Sequence, residues 1–329
     1  MALIEKVKQK LAAKKKLKKV VFTEGSDLRI IKAAVQLAEQ KLCYPIILDQ
    51  KETVIELAMK HQLDLTGIEL LDPTQQELQQ KVITAYLAAN PIVKGEKRLK
   101  RLVTKPLNLS IMMTKAKMTD CSATGVITST TDVIIAAQQL LGVAANVSTI
   151  SSIGFQQLKT LGRLVAVADC AINLAPQPAE LADIVLTSAN SFAKITQELP
   201  RVALLSYSTF GSGAGPQVNL INDALKLIHQ RDANLIVEGE LQIDAALLPE
   251  VAAIKVKQPS EVAGQANVLI FPDLAAGNIA VKCMQMFDHG TSFGPLLQGF
   301  QGSVTDFSRA ATVADIIGNV CLTLVKEED

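Results

Sequence analysis

Three short apolar runs between positions 202 and 271 place the strongest constraint on the fold of this chain. They are VALLSYS from Val202, ANLIVEGE from Ala233 and ANVLIFPD from Ala266, and each is followed by small or acidic residues. Strands of an open parallel sheet are buried on both faces, so they read as continuous apolar runs of this kind. Ligands bind such sheets at the carboxyl ends of the strands. The pattern therefore predicts a parallel α/β sheet, with a candidate site in the polar residues after each run.

The length of the chain favours two domains rather than one. A chain of 329 residues is long for a single hydrophobic core. Aromatic residues make up 4% and Trp is absent, so the interiors are expected to consist mostly of Ala, Val, Ile and Leu. Sheets covered by helices are typically built in this way. The alternation of strand and helix restarts after Ala144, which predicts a boundary near residue 145.

Charge and cysteine content exclude several classes of protein. The 33 Lys and Arg residues nearly balance the 32 Asp and Glu residues, which argues against a nucleic-acid partner held by a broad basic face. No apolar run is long enough to span a membrane, so no membrane partner is expected. The five scattered cysteines and the lack of a secretory segment favour a cytoplasmic protein with reduced thiols. The three histidines are not at ligand spacing, so we expect no metal site.

A turn rich in small residues, from Thr124 to Thr131, leads into a helix predicted to begin near Asp132. Backbone amides and hydroxyls at the amino end of a helix can hold an anion, because free N–H groups and the helix dipole point toward it. Ser129 and Thr130 would take part in such a site. An ordinary helix cap without a ligand explains the same residues, and the sequence leaves both interpretations open.

A glycine-rich corner, GSGAG from Gly211, follows the first of the three apolar runs. It lacks the lysine and hydroxyl that complete a P-loop, and no third glycine falls at the spacing of the dinucleotide fingerprint. A glycine-rich corner at the end of a strand is more often a tight turn than a phosphate site.

The C-terminal segment carries the residues best suited to chemistry. Thr312 is placed to cap the last helix, and Asp315 follows three residues later, where a carboxylate favours the positive helix end. Capping is one role open to Asp315. The other is catalytic, since Ser308 and Arg309 lie nearby and all three could meet one small anionic substrate. A carboxylate can take a proton there while a cation holds developing negative charge.

Several motifs in order along the chain resemble those of the phosphate acetyltransferases. These are FTEGSDLRIIKAA from Phe22, ADCAIN from Ala168, SYSTFGSG from Ser206, EGELQIDAALLPEVAAIK from Glu238, VAGQANVLIFPDLAAGNIAVK from Val262, GPLLQG from Gly294 and TDFSRAATVADI from Thr305. The resemblance covers nearly the whole chain. It implies two doubly wound α/β domains, as in the isocitrate and isopropylmalate dehydrogenases, with the active site in the cleft between them. The first domain would comprise residues 1–144 completed by 290–329, and the second, residues 145–289, would form a homodimer.

The resemblance also implies a reaction, in which acetyl-CoA and phosphate are interconverted with acetyl phosphate and CoA. Acetyl-CoA and phosphate would be substrates, and no cofactor or metal is implied. Asp315 would deprotonate the CoA thiol, Ser308 would stabilise the tetrahedral intermediate, and Arg309 would bind substrate. Activation of the thiol is reasonable, because the thiolate is the nucleophile and a free thiol is mostly protonated near neutral pH. The substrate-binding candidates are Ser129, Thr130, Thr131, Gly211, Ser212, Asn278 and Gln298.

Some positions depart from the family pattern by lacking a cation. Asn90 and Ile135 stand where the family usually has arginine, Thr128 where it has histidine and Phe210 where it has lysine, and Gly302–Ser303 replaces a Lys-Pro pair. A charge-assisted hydrogen bond contributes about 1.5 to 3 kcal/mol, so these losses would weaken anion binding. Two alternatives to an acetyltransferase follow: a degenerate paralogue with a binding or regulatory role, and an acyltransferase for another group such as butyryl. Neighbouring cations that could compensate are Lys94, Lys97, Arg98 and Arg101.

Overall fold

The computed structural model describes residues 3–91, 95–145 and 147–327. Its helices are α1 Leu3–Ala12, α2 Leu28–Glu39, α3 Lys51–Lys60, α4 Gln76–Ala89, α5 Glu96–Leu102, α6 Pro106–Lys115, α7 Thr130–Leu140, α8 Pro178–Thr196, α9 Pro216–Arg231, α10 Ile243–Leu247, α11 Pro249–Lys255, α12 Leu274–Phe287 and α13 Val313–Lys326. Its strands are β1 Lys19–Phe22, β2 Tyr44–Leu48, β3 Glu69–Leu71, β4 Cys121–Thr124, β5 Ser151–Leu158, β6 Arg163–Ala168, β7 Val202–Leu205, β8 Val237–Leu241, β9 Val268–Ile270, β10 Thr291–Gln298 and β11 Ser303–Asp306.

The chain divides into two compact units, of which the first comprises residues 1–145 and 300–329. Its sheet has five strands in the order β11-β4-β1-β2-β3, and every neighbouring pair is parallel. The chain moves from β1 to β2 and β3 on one side and returns to β4 on the other. The gap between β1 and β4 is therefore a topological switch point, and a ligand crevice is expected at the carboxyl ends of these strands.

The last helix, α13, forms much of the interior of the first unit. Every residue from Ile316 to Lys326 is buried, and the helix packs against α1, α2 and β11. A helix that is covered on all sides needs no polar face, which explains the almost continuous apolar sequence after Asp315. Burial of this helix fixes the segment that precedes it, and that segment contains the residues selected as catalytic.

The second unit comprises residues 146–299 and has a six-stranded sheet in the order β10-β5-β6-β9-β7-β8. The strands β6, β9, β7 and β8 are parallel, whereas β5 and β10 run antiparallel to their neighbours. The three apolar runs that begin at Val202, Ala233 and Ala266 contain β7, β8 and β9, which lie side by side. The predicted parallel α/β sheet is therefore confirmed, with an antiparallel edge that the sequence pattern did not indicate.

The boundary of the second unit differs from the sequence prediction at its C-terminal end. We assigned residues 290–329 to the first domain, but β10 pairs with β5 across the register from Thr291 to Gln298 and belongs to the second sheet. The first unit resumes at Phe300. Hydrogen-bond pairing with a strand more than a hundred residues away decides this assignment, and the local pattern GPLLQG carries no information about it. Among the described residues, no helix is both long and apolar enough to cross a bilayer.

Candidate active site

Three loops of the first unit meet at the carboxyl ends of β1, β4 and β11. A buried hydrogen bond of 2.8 Å from Thr23 Oγ1 to Thr124 Oγ1 joins the residue that follows β1 to the last residue of β4. The loop after β4 also approaches the loop after β11 closely. A Cβ on Gly125, whose φ is +114°, would lie 2.5 Å from the backbone nitrogen of Phe307. Glycine is thus required there, both for its conformation and for the contact between the loops.

The amino end of α7 already holds an anion from the chain itself. The Glu24 carboxylate accepts hydrogen bonds from the backbone N–H groups of Gly125 at 3.0 Å, Val126 at 2.9 Å and Thr128 at 2.7 Å. Consecutive N–H groups in a turn before a helix form an anion-binding concavity. The sequence left an anion site and an ordinary cap open for this turn, and in the structure its amides bind the carboxylate of Glu24.

The three hydroxyl residues at the start of α7 have different surroundings. Ser129 is the N-cap: its Oγ accepts the Asp132 N–H at 3.2 Å and donates to the Asp132 carboxylate at 2.6 Å. Thr130 Oγ1 donates to Asp306 Oδ2 at 2.5 Å. Thr131 is exposed in the first turn, where backbone N–H groups have no partner inside a helix. Because Ser129 Oγ already accepts the Asp132 N–H, the part of this turn open to a ligand is the exposed residue Thr131.

A buried carboxyl group, Asp306, connects the α7 turn to the end of β11. Burial raises the pKa of Asp306 to about 6; the hydrogen bond from Thr130 opposes this shift and the charge of Glu24 adds to it. Its Oδ1 atom is buried without a hydrogen-bond partner among the described residues. A charged carboxylate in this position is poorly stabilised, because burial penalises the ionised form.

The elevated pKa of Asp306 predicts a pH-dependent gain in stability for Asp306→Asn. Between an unfolded pKa of about 3.9 and a folded value of about 6, the folded chain binds more protons, so the free energy of unfolding falls as pH rises through that window. Asp306→Asn has no carboxyl group to titrate, so its free energy of unfolding should not show this fall. Relative to the wild type, the free energy of unfolding of the variant should increase by about 1 to 3 kcal/mol between pH 4 and pH 8. Urea unfolding at several pH values measures it. Parallel pH profiles for the two proteins would contradict the prediction.

Ser308 and Arg309 lie on an exposed loop that Arg29 anchors. Arg29 Nη1 donates to the backbone carbonyls of Arg309 at 2.8 Å and Ala311 at 2.9 Å. Its other nitrogens form a two-point ion pair with Asp27, and the hydrogen bond from Arg29 lowers the pKa of the Asp27 carboxyl. The loop is held through its backbone, so the Ser308 and Arg309 side chains remain exposed.

Asp315 forms a capping box with Thr312, as the sequence predicted. Asp315 Oδ2 accepts from the Thr312 N–H and hydroxyl, both at 2.8 Å, and Thr312 Oγ1 accepts the Asp315 N–H at 3.2 Å. These bonds use Oδ2 and leave Oδ1 outside the cap. Asp315 is half-buried at the exposed end of an otherwise buried helix. The capping role is therefore established, and it is compatible with a second role for the remaining oxygen.

A cavity of about 570 Å³ lies beside this edge within the first unit, lined on one side by α6 and α7. Glu24, Asp49 and Asp132 contribute carboxylates, and Lys105 contributes a cation. Ile135, where the family pattern has an arginine, lines it and is 47% exposed. With more acidic than basic groups, this cavity is not suited to a highly charged anion.

In the second unit, Gly211 and Ser212 are held in a turn by Glu240. The Glu240 carboxylate, 3% exposed, accepts from the Gly211 N–H at 2.6 Å and from Ser208 Oγ at 2.8 Å. Ser212 Oγ accepts from the Thr209 N–H at 2.9 Å. Both residues are exposed, but the Gly211 amide is already paired. The tight-turn interpretation of GSGAG therefore accounts for these contacts.

The two remaining candidates in the second unit have different surroundings. Asn278 is exposed on α12 and its Nδ2 donates to the Cys170 carbonyl at 3.2 Å. Gln298 is 2% exposed, and its side-chain amide bonds to three buried serines, Ser151, Ser188 and Ser191. This network already uses the side-chain amide of Gln298.

The family model described as phosphate acetyl/butaryl transferase matches residues 2–324. The chain belongs to this family. Among curated proteins, the phosphate acetyltransferase of Clostridium acetobutylicum is 32% identical over 333 residues, covering 100% of this chain and 99% of that protein. The phosphate acetyltransferase of Helicobacter pylori is 36% identical over 319 residues, covering 96% of this chain. The chain spans 60% of the length of that relative.

Solved structures support the same assignment. The phosphotransacetylase from Streptococcus pyogenes superposes with a TM-score of 0.92 at 32% identity, covering 99% of each chain. The 4-hydroxythreonine-4-phosphate dehydrogenase from Klebsiella pneumoniae matches with a TM-score of 0.57 at 10% identity over 94% of this chain. At that identity the match shows the fold alone. The predicted dehydrogenase-like α/β fold is confirmed.

The positions at which this family member lacks a cation have ordinary structural surroundings. The Asn90 side chain donates to the Tyr86 carbonyl at the end of α4. The Thr128 N–H binds Glu24, and Phe210 packs against the core of the second unit. Lys97, Arg98 and Arg101 lie on the exposed part of α5, and Lys94 lies outside the described residues. In the described part of the chain, no group of three or more His, Cys, Asp or Glu side chains could hold a metal ion.

Four residues that organise these loops were not selected from the sequence: Glu24, Arg29, Asp306 and Glu240. Glu24, Asp306 and Glu240 lie at the carboxyl ends of strands, where the strand rule directs attention, so the signal was present. What the sequence could not show is the identity of their partners, which are about 30 to 280 residues away along the chain.

Proposed function

We propose that the chain catalyses reversible acetyl transfer between CoA and inorganic phosphate. The observation that supports this most strongly is the 32% identity over the full length to a protein named phosphate acetyltransferase. The exposed loop carrying Ser308 and Arg309, followed directly by the capping box of Asp315, adds a set of groups suited to the reaction. Acetyl-CoA, phosphate, acetyl phosphate and CoA would be the only small molecules required, with no cofactor.

In this proposal Asp315 is the general base for the CoA thiol. The thiol proton moves to the carboxylate, the thiolate attacks the carbonyl carbon of acetyl phosphate, and phosphate leaves as the tetrahedral intermediate collapses. In the reverse direction phosphate attacks acetyl-CoA and the departing thiolate recovers its proton from Asp315. A positioned base contributes about 10²- to 10⁴-fold to such a step.

Ser308 and Arg309 would stabilise negative charge. Ser308 Oγ accepts the Ala310 N–H at 3.2 Å, which leaves its hydroxyl proton to be donated to the oxyanion of the intermediate. Arg309 would bind phosphate oxygens, a task suited to the planar guanidinium group. Thr131, exposed at the start of α7, would be a second donor to the phosphate, with Ser129 and Thr130 fixing its position.

In the second unit, Gly211, Ser212 and Asn278 remain proposed contacts for CoA. Gly211 and Ser212 are exposed in the loop after β7, and Asn278 is exposed on α12, which follows β9. An acetyl-CoA titration of Ser212→Ala and Asn278→Ala compares their KM values with that of the wild type.

The release of free CoA thiol after addition of phosphate tests the proposed activity. Acetyl-CoA, propionyl-CoA and butyryl-CoA should be compared at equal concentration with the purified protein. The proposal predicts phosphate-dependent release that is fastest with acetyl-CoA. Faster release from butyryl-CoA would favour the alternative acyl group, and binding of CoA without any release would favour the degenerate paralogue.

We also propose that α12 forms the interface of a homodimer. Ile279 is 64% exposed, Met286 65% and Phe287 74%, and Gly277 is the buried residue of this helix. Ile279, Cys283 and Met286 follow helical spacing and form one apolar stripe. A contiguous apolar surface on a folded unit usually marks an interaction site. A second copy of the chain is the occupant that the family resemblance implies.

Substitution of Ile279 by Asp is expected to convert the dimer to a monomer, because the charge would be buried without a partner at the interface. Sedimentation at micromolar concentration measures the assembly. Ile254→Asp is the matched control, since Ile254 is 70% exposed on α11 in the same unit; this variant should remain dimeric. A monomeric wild type, or dissociation by both substitutions alike, would contradict the assignment.

The free state of all five cysteines supports a cytoplasmic location for the protein.

A further inference from the structure

We propose that Glu24 is a positioning residue for acetyl transfer, acting as an internal anion that fixes the turn before α7 and keeps substrate oxyanions out of its amide concavity. This inference rests on the proposed function. Glu24 Oε2 bonds to the N–H groups of Gly125 and Val126, and Oε1 bonds to that of Thr128. Three backbone donors directed at one carboxylate are the donor set that a phosphate would otherwise recruit.

The backbone of Glu24 supports a specific role. Glu24 has a φ of +66°, a conformation that residues other than glycine seldom adopt. Such conformations persist where surrounding contacts determine them, and they concentrate at functional sites. Here the three hydrogen bonds from the α7 turn offset the unfavourable backbone conformation. A residue needed only to link β1 to α2 would not require a strained carboxylate at this point.

The turn held by Glu24 is coupled to the loop that bears Ser308 and Arg309. Thr130, two residues beyond the last amide bound by Glu24, donates to Asp306, and Ser308 follows Asp306 by two residues. Gly125 also lies against the backbone of Phe307. A shift of the turn would therefore move the donors of α7 and the Ser308 loop together. Since Glu24 fills the concavity, the phosphate is directed to the first turn of α7 and to Arg309.

Replacement of Glu24 by Gly, followed by rescue with formate, tests this role. Glycine adopts a positive φ without strain, so the variant removes the carboxylate without adding a backbone penalty. We expect kcat/KM for phosphate to fall by about 10- to 100-fold, as for loss of a charged hydrogen-bond partner. Formate is a carboxylate small enough to enter the vacated concavity, so it should restore activity in a concentration-dependent manner. A purely structural role would not give such rescue.

Two control variants make the test specific. Glu24→Gln fills the same space but replaces one acceptor oxygen by an N–H₂ donor, so it should be impaired and should not respond to formate. Asp49→Ala removes a nearby carboxylate that also accepts backbone N–H groups, from Ser26 and Gln50, and it should show no formate rescue. Wild-type activity in Glu24→Gln would show that two acceptor oxygens on residue 24 are not required.

A binding measurement separates this inference from the proposed function. Formate should raise the melting temperature of Glu24→Gly but not that of the wild type, because a ligand that binds only the folded state stabilises it. The formate-dependent melting temperature does not depend on turnover. A wild type without transferase activity would therefore contradict the proposed function, while the melting temperatures would still test whether Glu24 fills the concavity. Wild-type kinetics in Glu24→Gly would overturn the inference. The inference would also be overturned if Glu24→Gly lost activity but formate neither restored that activity nor raised the melting temperature of the variant.

Discussion

Asp315→Asn is expected to lower kcat for acetyl transfer by about 10²- to 10⁴-fold, the contribution of a positioned general base. Asparagine keeps an oxygen that can accept from the Thr312 N–H and hydroxyl, as Asp315 Oδ2 does at 2.8 Å. It cannot take a proton from the CoA thiol. The cap should therefore survive while the chemistry is lost, and the melting temperature should change little. Steady-state kinetics together with thermal unfolding measure both effects.

The chain provides a matched control for this substitution in Glu180. In α8, Gln177 and Glu180 form a second capping box, with the Gln177 N–H bonded to Glu180 Oε2 at 2.8 Å. Glu180→Gln changes the same kind of group in the same kind of cap, in the second unit. It should leave kcat unchanged. Equal kinetic losses in the two variants would indicate a stability effect, and full activity in Asp315→Asn would remove Asp315 as the base.

Arg309→Ala is expected to raise the KM for phosphate by about 10- to 100-fold, because a hydrogen bond to a charged group contributes about 1.5 to 3 kcal/mol. The loop should keep its position, since Arg29 holds the backbone carbonyl of Arg309 and does not depend on its side chain. Arg309→Lys should recover part of the loss, because lysine keeps the charge but not the two-point geometry. Initial rates measured over a range of phosphate concentrations give the KM for phosphate of each variant.

Arg201→Ala is a suitable control for Arg309→Ala. Arg201 is partly exposed and directly precedes β7, so it lies at the amino end of a parallel strand rather than at a carboxyl end. Its removal should leave the phosphate KM unchanged. If Arg309→Ala changed the KM for acetyl-CoA and not that for phosphate, Arg309 would bind the CoA portion instead.

Local sequence signals predicted the fold well where one element carried the whole signal. The apolar runs that became β7, β8 and β9 are buried on both faces, so their pattern needed no knowledge of partners. The Thr312–Asp315 cap was also predicted, because all its atoms come from one helical turn. In the same way, the N-cap of α2, Asp27, accepts the Arg29 N–H two residues later, so all its atoms are local in sequence.

Packing between distant segments decides features that a local pattern does not show. The helix α12 begins at Leu274 after the N-cap Asp273 and contains Gly277 in its first turns. A Cβ on Gly277 would lie 2.5 Å from the Asp169 carbonyl, so the helix tolerates glycine there in order to approach that loop. The sequence shows a helix-weakening residue and gives no sign of the contact that requires it.

The candidate site was predictable in its residue types and not in its pairings. Ser308, Arg309 and Asp315 were selected because they are close in sequence and chemically suited to the reaction. Gln298 was selected from resemblance alone, and its buried bonds to three serines became apparent only in the folded chain. Glu24 illustrates the opposite case, since its role depends on amides about a hundred residues away.

The identity of the phosphorylated product tests the proposed function most directly. The purified protein should be incubated with acetyl-CoA and inorganic phosphate, and the products followed by phosphorus NMR while free thiol is counted. The account predicts acetyl phosphate in an amount equal to the CoA released, and little of either with Asp315→Asn. Release of CoA without acetyl phosphate would indicate hydrolysis, and no release of CoA would indicate a protein without acetyl transfer; either result would contradict it.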